Sequence, residues 1–355
     1  MKSALVALLS VSAVAGVLAA TRPQGTTSTA VALVRLPAAG IQPQVALDPS
    51  GTVHVVYFTG TAASGDLFYT RVRTDGTFAP PIAVNSAPGS AIATGNVRGA
   101  RLAVGANGRV HVIWNGSSRA TPRAVGGETP MLYTRMNDRR TAFEPQRNVL
   151  QSAVGLDGGG AVAADRSGRV FVAWHAAGPN GKGEGDRRVW VAESVNDGAT
   201  FAAERAVSKP ETGACGCCGM DALVDGEGRL HMMYRGARDV VHRDAFLLSS
   251  SDHGQSFTTT DLQEWNIGAC PMSTFALAEG GDAIVSAWET AGQVQFARVD
   301  KRTGQRLSIT EAPGAVRTRK HPAIAVNAKG EILLAWTEGM AWQRGGSLAW
   351  QIFDT

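Results

Sequence analysis

One unit recurs six times along this 355-residue chain, and it restricts the possible folds more than any other feature. The unit is an apolar run, then a four-residue turn that in most copies opens on Asp or Asn and closes on Gly, then alternating apolar residues ending on an aromatic. The copies are PQVALDPSGTVHVVY (43–57), ARLAVGANGRVHVIW (100–114), GAVAADRSGRVFVAW (160–174), MDALVDGEGRLHMMY (220–234), TFALAEGGDAIVSAW (274–288) and PAIAVNAKGEILLAW (322–336). Five keep the same step from glycine to aromatic: Gly51 to Tyr57, Gly108 to Trp114, Gly168 to Trp174, Gly228 to Tyr234 and Gly330 to Trp336. In the fifth copy Asp282 takes the glycine position.

Period-two alternation around an Asp/Gly turn describes a β-hairpin. Successive turns are roughly 50 to 60 residues apart, which leaves room for two more strands, and four-stranded units at that period are propeller blades. Third strands are predicted at 66–72, 131–137, 188–194, 245–251, 294–300 and 347–353. Nothing after the sixth of these supplies a fourth strand, and an open edge leaves backbone groups unpaired. The segment VALVRLPAAG (31–40) matches the fourth strands RAVSKPETG (205–213) and LSITEAPG (307–314). The expectation is an all-β, six-bladed β-propeller over residues 21–355, closed by the N-terminal strand pairing into the last blade.

After the third strand, blade three carries SVNDGATF (194–201) and blade four SSDHGQSF (250–257). These resemble the Asp-box of bacterial neuraminidase repeats, with Asn196 in place of the Asp in the blade-three copy; RTDGTF (73–78) and MNDRRTAF (136–143) look like decayed copies. The chain thus resembles the sialidase superfamily over essentially its whole mature length. The resemblance implies a substrate carboxylate held by three arginines and a late tyrosine nucleophile paired with a glutamate. Val34-Arg35-Leu36-Pro37 is similar to the family's first arginine motif, yet alignment on the turn puts Ile41 at the arginine position and Arg35 in the closing strand. The tyrosines, Tyr57, Tyr69, Tyr133 and Tyr234, all sit at repeat positions inside predicted strands, and none lies in the last two blades. Orthodox sialidase catalysis is therefore not expected.

Residues 1–20 read as a secretory leader: Lys2, an apolar core over 4–17, and a small-residue cleavage site at 18–20. A secreted or periplasmic protein is expected. No stretch reaches the roughly 20 apolar residues of a membrane span. Loss of Lys2 takes the formal charge from +4 to +3, and the basic residues are scattered, which argues against a nucleic-acid partner.

The repeat also lists the residues around the channel mouth. Entering the first strands are Cys215, Cys217, Cys218 and Met220 in blade four, Cys270 and Met272 in blade five, and Lys320 and His321 in blade six. Leaving the second strands are Asn115, His175, Arg235, Glu289 and Glu338. All four cysteines thus occupy equivalent positions of adjacent blades. In an exported chain they can form disulfides, and a bridge from 215–218 to Cys270 would tie two blades. The alternative is a soft metal site for copper(I) or zinc, with the nearby Met220 and Met272 and His175 or His321 completing the set. Glu289, Glu338, Arg235 and His175 are candidates for acid/base work or for binding a polar ligand. Trp265, Trp342 and Trp350 are candidate stacking surfaces for a sugar.

Three functions remain open at this point. One is a noncatalytic propeller that binds a glycan or a protein partner, the second a glycoside hydrolase with a rearranged site built on Glu289 and Glu338. The third is a copper- or zinc-binding or thiol-redox protein.

Overall fold

The hairpin turns form for a reason that repeats. In the computed structural model, Asp48 Oδ1 accepts from the backbone N–H of Ser50 and Thr52 at 2.8 and 2.9 Å. Asp165 does the same for Ser167 and Arg169, Asp225 for Glu227 and Arg229, and Asn327 for Lys329 and Glu331. A short side-chain acceptor thus holds these four turns while the closing glycine, as at Gly168 with φ +91°, takes the left-handed backbone that other residues resist.

The structure describes residues 34–354, apart from 96, 316, 317 and 341–344. The chain divides into an N-terminal unit, residues 1–35, and a propeller unit, residues 36–355. Residues 1–20, where the leader is expected, lie outside the described residues.

The propeller unit holds six antiparallel sheets with strands in chain order. Blade one is Ile41–Leu47, Val53–Thr61, Ser64–Val72 and Ile82–Ala83; blade two is Arg101–Val104, Val110–Asn115, Met131–Arg135 and Arg147–Asn148. Blade three is Val154–Ala164, Val170–Ala177, Arg187–Ser194 and Arg205–Ala206; blade four is Asp221–Val224, Leu230–Arg235, Ala245–Ser250 and Thr258–Gln263. Blade five is Phe275–Gly280, Ala283–Thr290, Gln293–Asp300 and Arg306–Glu311, and blade six is Lys320–Val326, Ile332–Glu338 and Ser347–Phe353. The predicted third strands agree with these bounds to within two residues.

Blade six has three strands among the described residues. Of the segment expected to complete it, 31–33 lie outside the described residues, and Pro37–Ala39 forms a 3-10 turn rather than a strand. Leu348, Trp350 and Ile352 of that blade are exposed, as are Val45 and Leu47 of blade one.

The second strands of blades two to five are buried on both faces because each is packed between neighbouring blades. Val56 and Phe58 meet Val112 and Trp114; Ile113 and Tyr133 meet Val172 and Trp174; Phe171 meets Met232 and Tyr234. The aromatics that end the repeats, Tyr57, Trp114, Trp174, Tyr234, Trp288 and Trp336, are all buried. The two Asp-box segments make the expected local bonds: Ser250 Oγ donates to Asp252 at 2.7 Å, and Thr200 N donates to Asn196 at 2.9 Å.

One turn acid is more than a cap. Asp225 Oδ2 lies 3.1 Å from His231 Nε2 and 3.0 Å from Arg229 Nε, with no exposed side-chain surface. Burial raises its carboxyl, but the bonds from His231 and Arg229 outweigh burial and hold it well below the ordinary carboxylate range. A depressed folded pKa contributes stability above the unfolded value near pH 4 that is lost as pH falls through the folded one. Asp225→Asn should therefore lose stability at neutral pH and show a shallower decline from about pH 4 to pH 2 than wild type, at most about 1.4 kcal/mol per pH unit for one group. Denaturant midpoints across that window measure it, and parallel curves would refute it.

Candidate functional site

The loop into blade four is built to turn its sulfurs inward. Cys215 N donates to Arg235 O at 2.8 Å and Cys218 N to Cys215 O at 3.2 Å, closing one tight turn over Cys215-Gly216-Cys217-Cys218. A Cβ at Gly216 would stand 2.6 Å from Arg187 Nη1 and 2.9 Å from Asp157 Oδ2, so a larger residue there would have to push these two side-chain ends aside. Gly219 N donates to Ser273 O, which ties the loop to the cysteine-bearing loop of blade five.

The sulfurs of Cys215 and Cys217 are 3.2 Å apart and those of Cys215 and Cys218 are 3.3 Å apart. Cys270 approaches from blade five, so that its sulfur, that of Cys217 and a Glu184 carboxylate oxygen lie within 4.8 Å of one another. All four cysteines therefore gather between the loops entering blades four and five. They are free thiols, at separations well beyond the roughly 2.05 Å of a disulfide bond. Cys215 and Cys218 are fully buried, Cys217 is half-buried and Cys270 is exposed.

Two buried guanidiniums flank the sulfurs. Arg235 donates to Ser273 Oγ at 2.7 Å and to the carbonyls of Arg243 and Glu289, with its charge next to Cys218. Arg243 donates from Nη2 to Glu184 at 2.8 Å, its Nε and Nη1 have no hydrogen-bond partner among the described residues, and its charge acts on Cys215 and Cys217. Burial alone would raise the Cys218 thiol, but contacts with Cys215, Cys217 and Ser273 and the Arg235 charge hold it well below the ordinary thiol range. Contacts with Cys215 and Cys218, with burial, push the Cys217 thiol up, and the contact with Cys218 and burial push up that of Cys215.

His175 is fully buried beside Cys218, and neither ring nitrogen has a hydrogen-bond partner among the described residues. Burial pushes it down to about 4, so at neutral pH it is a neutral imidazole with a free lone pair. His321 stands elsewhere, with Thr274 Oγ1 3.4 Å from its Nδ1 and Lys320 and Arg101 as charged neighbours. Like His175, it joins no group of three metal-competent atoms among the described residues. Met220 is packed into the core between blades three and four, and the Met272 methyl approaches Gly95, so both methionines serve packing.

Glu289 is buried, with Oε1 3.0 Å from Lys320 Nζ and Oε2 without a partner among the described residues; burial raises its carboxyl to about 7. Glu338 accepts from Arg319 Nε at 2.8 Å and Trp336 Nε1 at 2.9 Å. Arg101 reaches Gln44 at 2.8 Å and faces Asp221. Trp265 carries the Arg235 guanidinium over its ring at 5.0 Å, and Trp342 lies outside the described residues.

No family model matches the chain, and no curated protein sequence does. Solved structures do. A Dyadobacter fermentans protein of unknown function aligns at TM-score 0.57 and 12% identity, covering 88% of this chain and 94% of its own. The intramolecular trans-sialidase of Ruminococcus gnavus aligns at TM-score 0.56 and 10% identity, covering 89% and 94%. The NanB sialidase of Streptococcus pneumoniae aligns at 0.55 and 9%, covering 85% and 66%. The fold is a sialidase-like β-propeller. Identities this low establish the fold of the propeller and leave its chemistry to its own residues.

Those residues do not reproduce the tyrosine that the resemblance implies. Tyr57, Tyr69, Tyr133 and Tyr234 are buried between blades of this sialidase-like propeller, and burial raises every phenol, Tyr69 to about 12. Tyr69, Tyr133 and Tyr234 spend their hydroxyls on His54, His111 and Thr212.

Glu184, Arg243 and Ser273 carry much of the site, and sequence reasoning did not single them out. Glu184 and Arg243 lie in insertions between second and third strands, where the repeat offers no equivalent position to compare.

Proposed function

We propose that this chain is an exported, non-hydrolytic propeller whose channel mouth binds a soft metal ion, copper(I), through the thiolates of Cys215, Cys217 and Cys218. The observation that carries the reading is three sulfurs converging within 3.3 Å contacts between two buried guanidiniums. Soft thiolates select copper(I), and a three-sulfur set suits it better than zinc, which takes four ligands in structural sites. Charge supports the same choice. Three thiolates around one cuprous ion leave a doubly negative cluster, and Arg235 and Arg243 supply two positive charges, while Glu289 and Glu184 have Lys320 and Arg187 as further partners. Neutral His175, close behind Cys218, is the available additional donor.

Export rests on the leader pattern of residues 1–20. Glycan binding rests on the likeness of fold to sialidases, whereas the polar side chains at the mouth are largely engaged with one another. Glu289 and Glu338 have separate partners, Lys320 and Arg319, rather than facing a common substrate position.

The test is anaerobic titration of the reduced protein with copper(I) against a coloured chelator. One ion per chain is expected, with affinity falling by about 100-fold or more in Cys218→Ser, since even supporting residues around a metal cost 10- to 100-fold. Unchanged affinity in that variant would remove the proposal. Hydrolysis of a methylumbelliferyl sialoside is expected to be absent, and its presence would restore the glycosidase reading.

A further inference from the structure

Cys217 belongs to two sets of ligand atoms at once, an inner one with Cys215 and Cys218 and an outer one with Glu184 and Cys270. The inner set is closed to solvent: Cys215 and Cys218 have no exposed surface. The outer set is open, with Cys270 exposed and Cys217 half-buried. We infer that Glu184, Cys217 and Cys270 form a second, solvent-facing position for the same ion, through which copper(I) is loaded into the inner site. This inference rests on the copper reading above.

The geometry makes the transfer stepwise. Copper(I) is stable between two thiolates, so an arriving ion can be taken by Cys270 and Cys217 together. Cys217 then keeps its bond while the ion exchanges Cys270 for Cys215, 3.2 Å away, and finally gains Cys218, 3.3 Å from Cys215. No electron moves, the ion stays cuprous throughout, and each thiol that becomes a ligand releases its proton to water. Cys270 recovers its proton as it lets go. Glu184 supplies a negative lip to the outer position; its oxygens are fixed by Arg187 Nη1 at 3.3 Å and Arg243 Nη2 at 2.8 Å, so the carboxylate points the same way with or without an ion. The connection between Cys270 and the inner site is short: three residues on, Ser273 Oγ lies 3.4 Å from Cys218 Sγ.

Equilibrium and rate separate the two positions. The full reduced chain is mixed anaerobically with a coloured copper(I)–bathocuproine complex, and loss of colour is followed by stopped flow and at equilibrium. Cys270→Ser is expected to keep one ion per chain and an affinity close to wild type while loading about tenfold more slowly, with Glu184→Gln slowed less. Cys218→Ser is expected to lose affinity itself. Wild-type loading by Cys270→Ser would overturn the outer position and leave the inner one standing. Loss of affinity in Cys270→Ser as large as in Cys218→Ser would also overturn it, because Cys270 would then be a permanent ligand. A 217–270 disulfide in the mass spectrum of anaerobically purified protein would overturn it on separate grounds. A wild-type chain that takes up no copper(I) would remove both positions.

Discussion

Replacing Trp174 with alanine is expected to cost about 3–5 kcal/mol of folding stability, while the same change at Trp350 costs less than about 1 kcal/mol. Both tryptophans occupy strands of the repeat, and the difference is packing. Trp174 is 0% exposed and sits between blades two and three against Ile113, Met131, Val162 and Val172. Truncation removes its transfer free energy and leaves a cavity that two sheets, each held by its own ladder, can only partly close. Trp350 is 45% exposed on the outer face of blade six. Urea or guanidinium unfolding of the two variants is the measurement. Equal losses would mean that blade six is covered as completely as blade three.

The second large effect is at Arg235. Arg235→Ala should destabilise the fold by about 3–5 kcal/mol, because a fully buried cation with several bonds leaves orphaned partners when it is removed. Ser273 Oγ and the carbonyls of Arg243 and Glu289 would lose their donor, and the rings of Trp265 and Phe275 would lose the guanidinium stacked over them at 5.0 and 5.3 Å. Arg235→Lys should recover less than half of the loss, since an ammonium supplies the charge without the planar fork that reaches three acceptors. Denaturation midpoints of the three proteins decide this. Full recovery by lysine would reduce the role of Arg235 to its charge.

The site around Arg235 shows how far the sequence could be read. The meeting of the cysteines was legible because the glycine-to-aromatic step places 213–221 and 268–274 at equivalent points of adjacent blades. His175 and Arg235 were legible as strand ends in the same way. Glu184 and Arg243 were not, because they stand in loops whose lengths differ from blade to blade. His321 stands inside the first strand of blade six, a blade further round than Cys270, among Thr274, Lys320 and Arg101, and Met220 packs into the core.

By itself the sequence determined the hairpins, their number and the side of each strand that is buried. Those features depend on alternation and on turn residues only a few positions apart, so local chemistry specifies them. Only the tertiary structure decided that three sulfurs touch, that Cys217 is shared with Cys270 and Glu184, and that the flanking charges are Arg235 and Arg243. Such contacts join loops from different blades, and their spacing is set by how whole sheets pack around the axis, which no single stretch of the chain encodes.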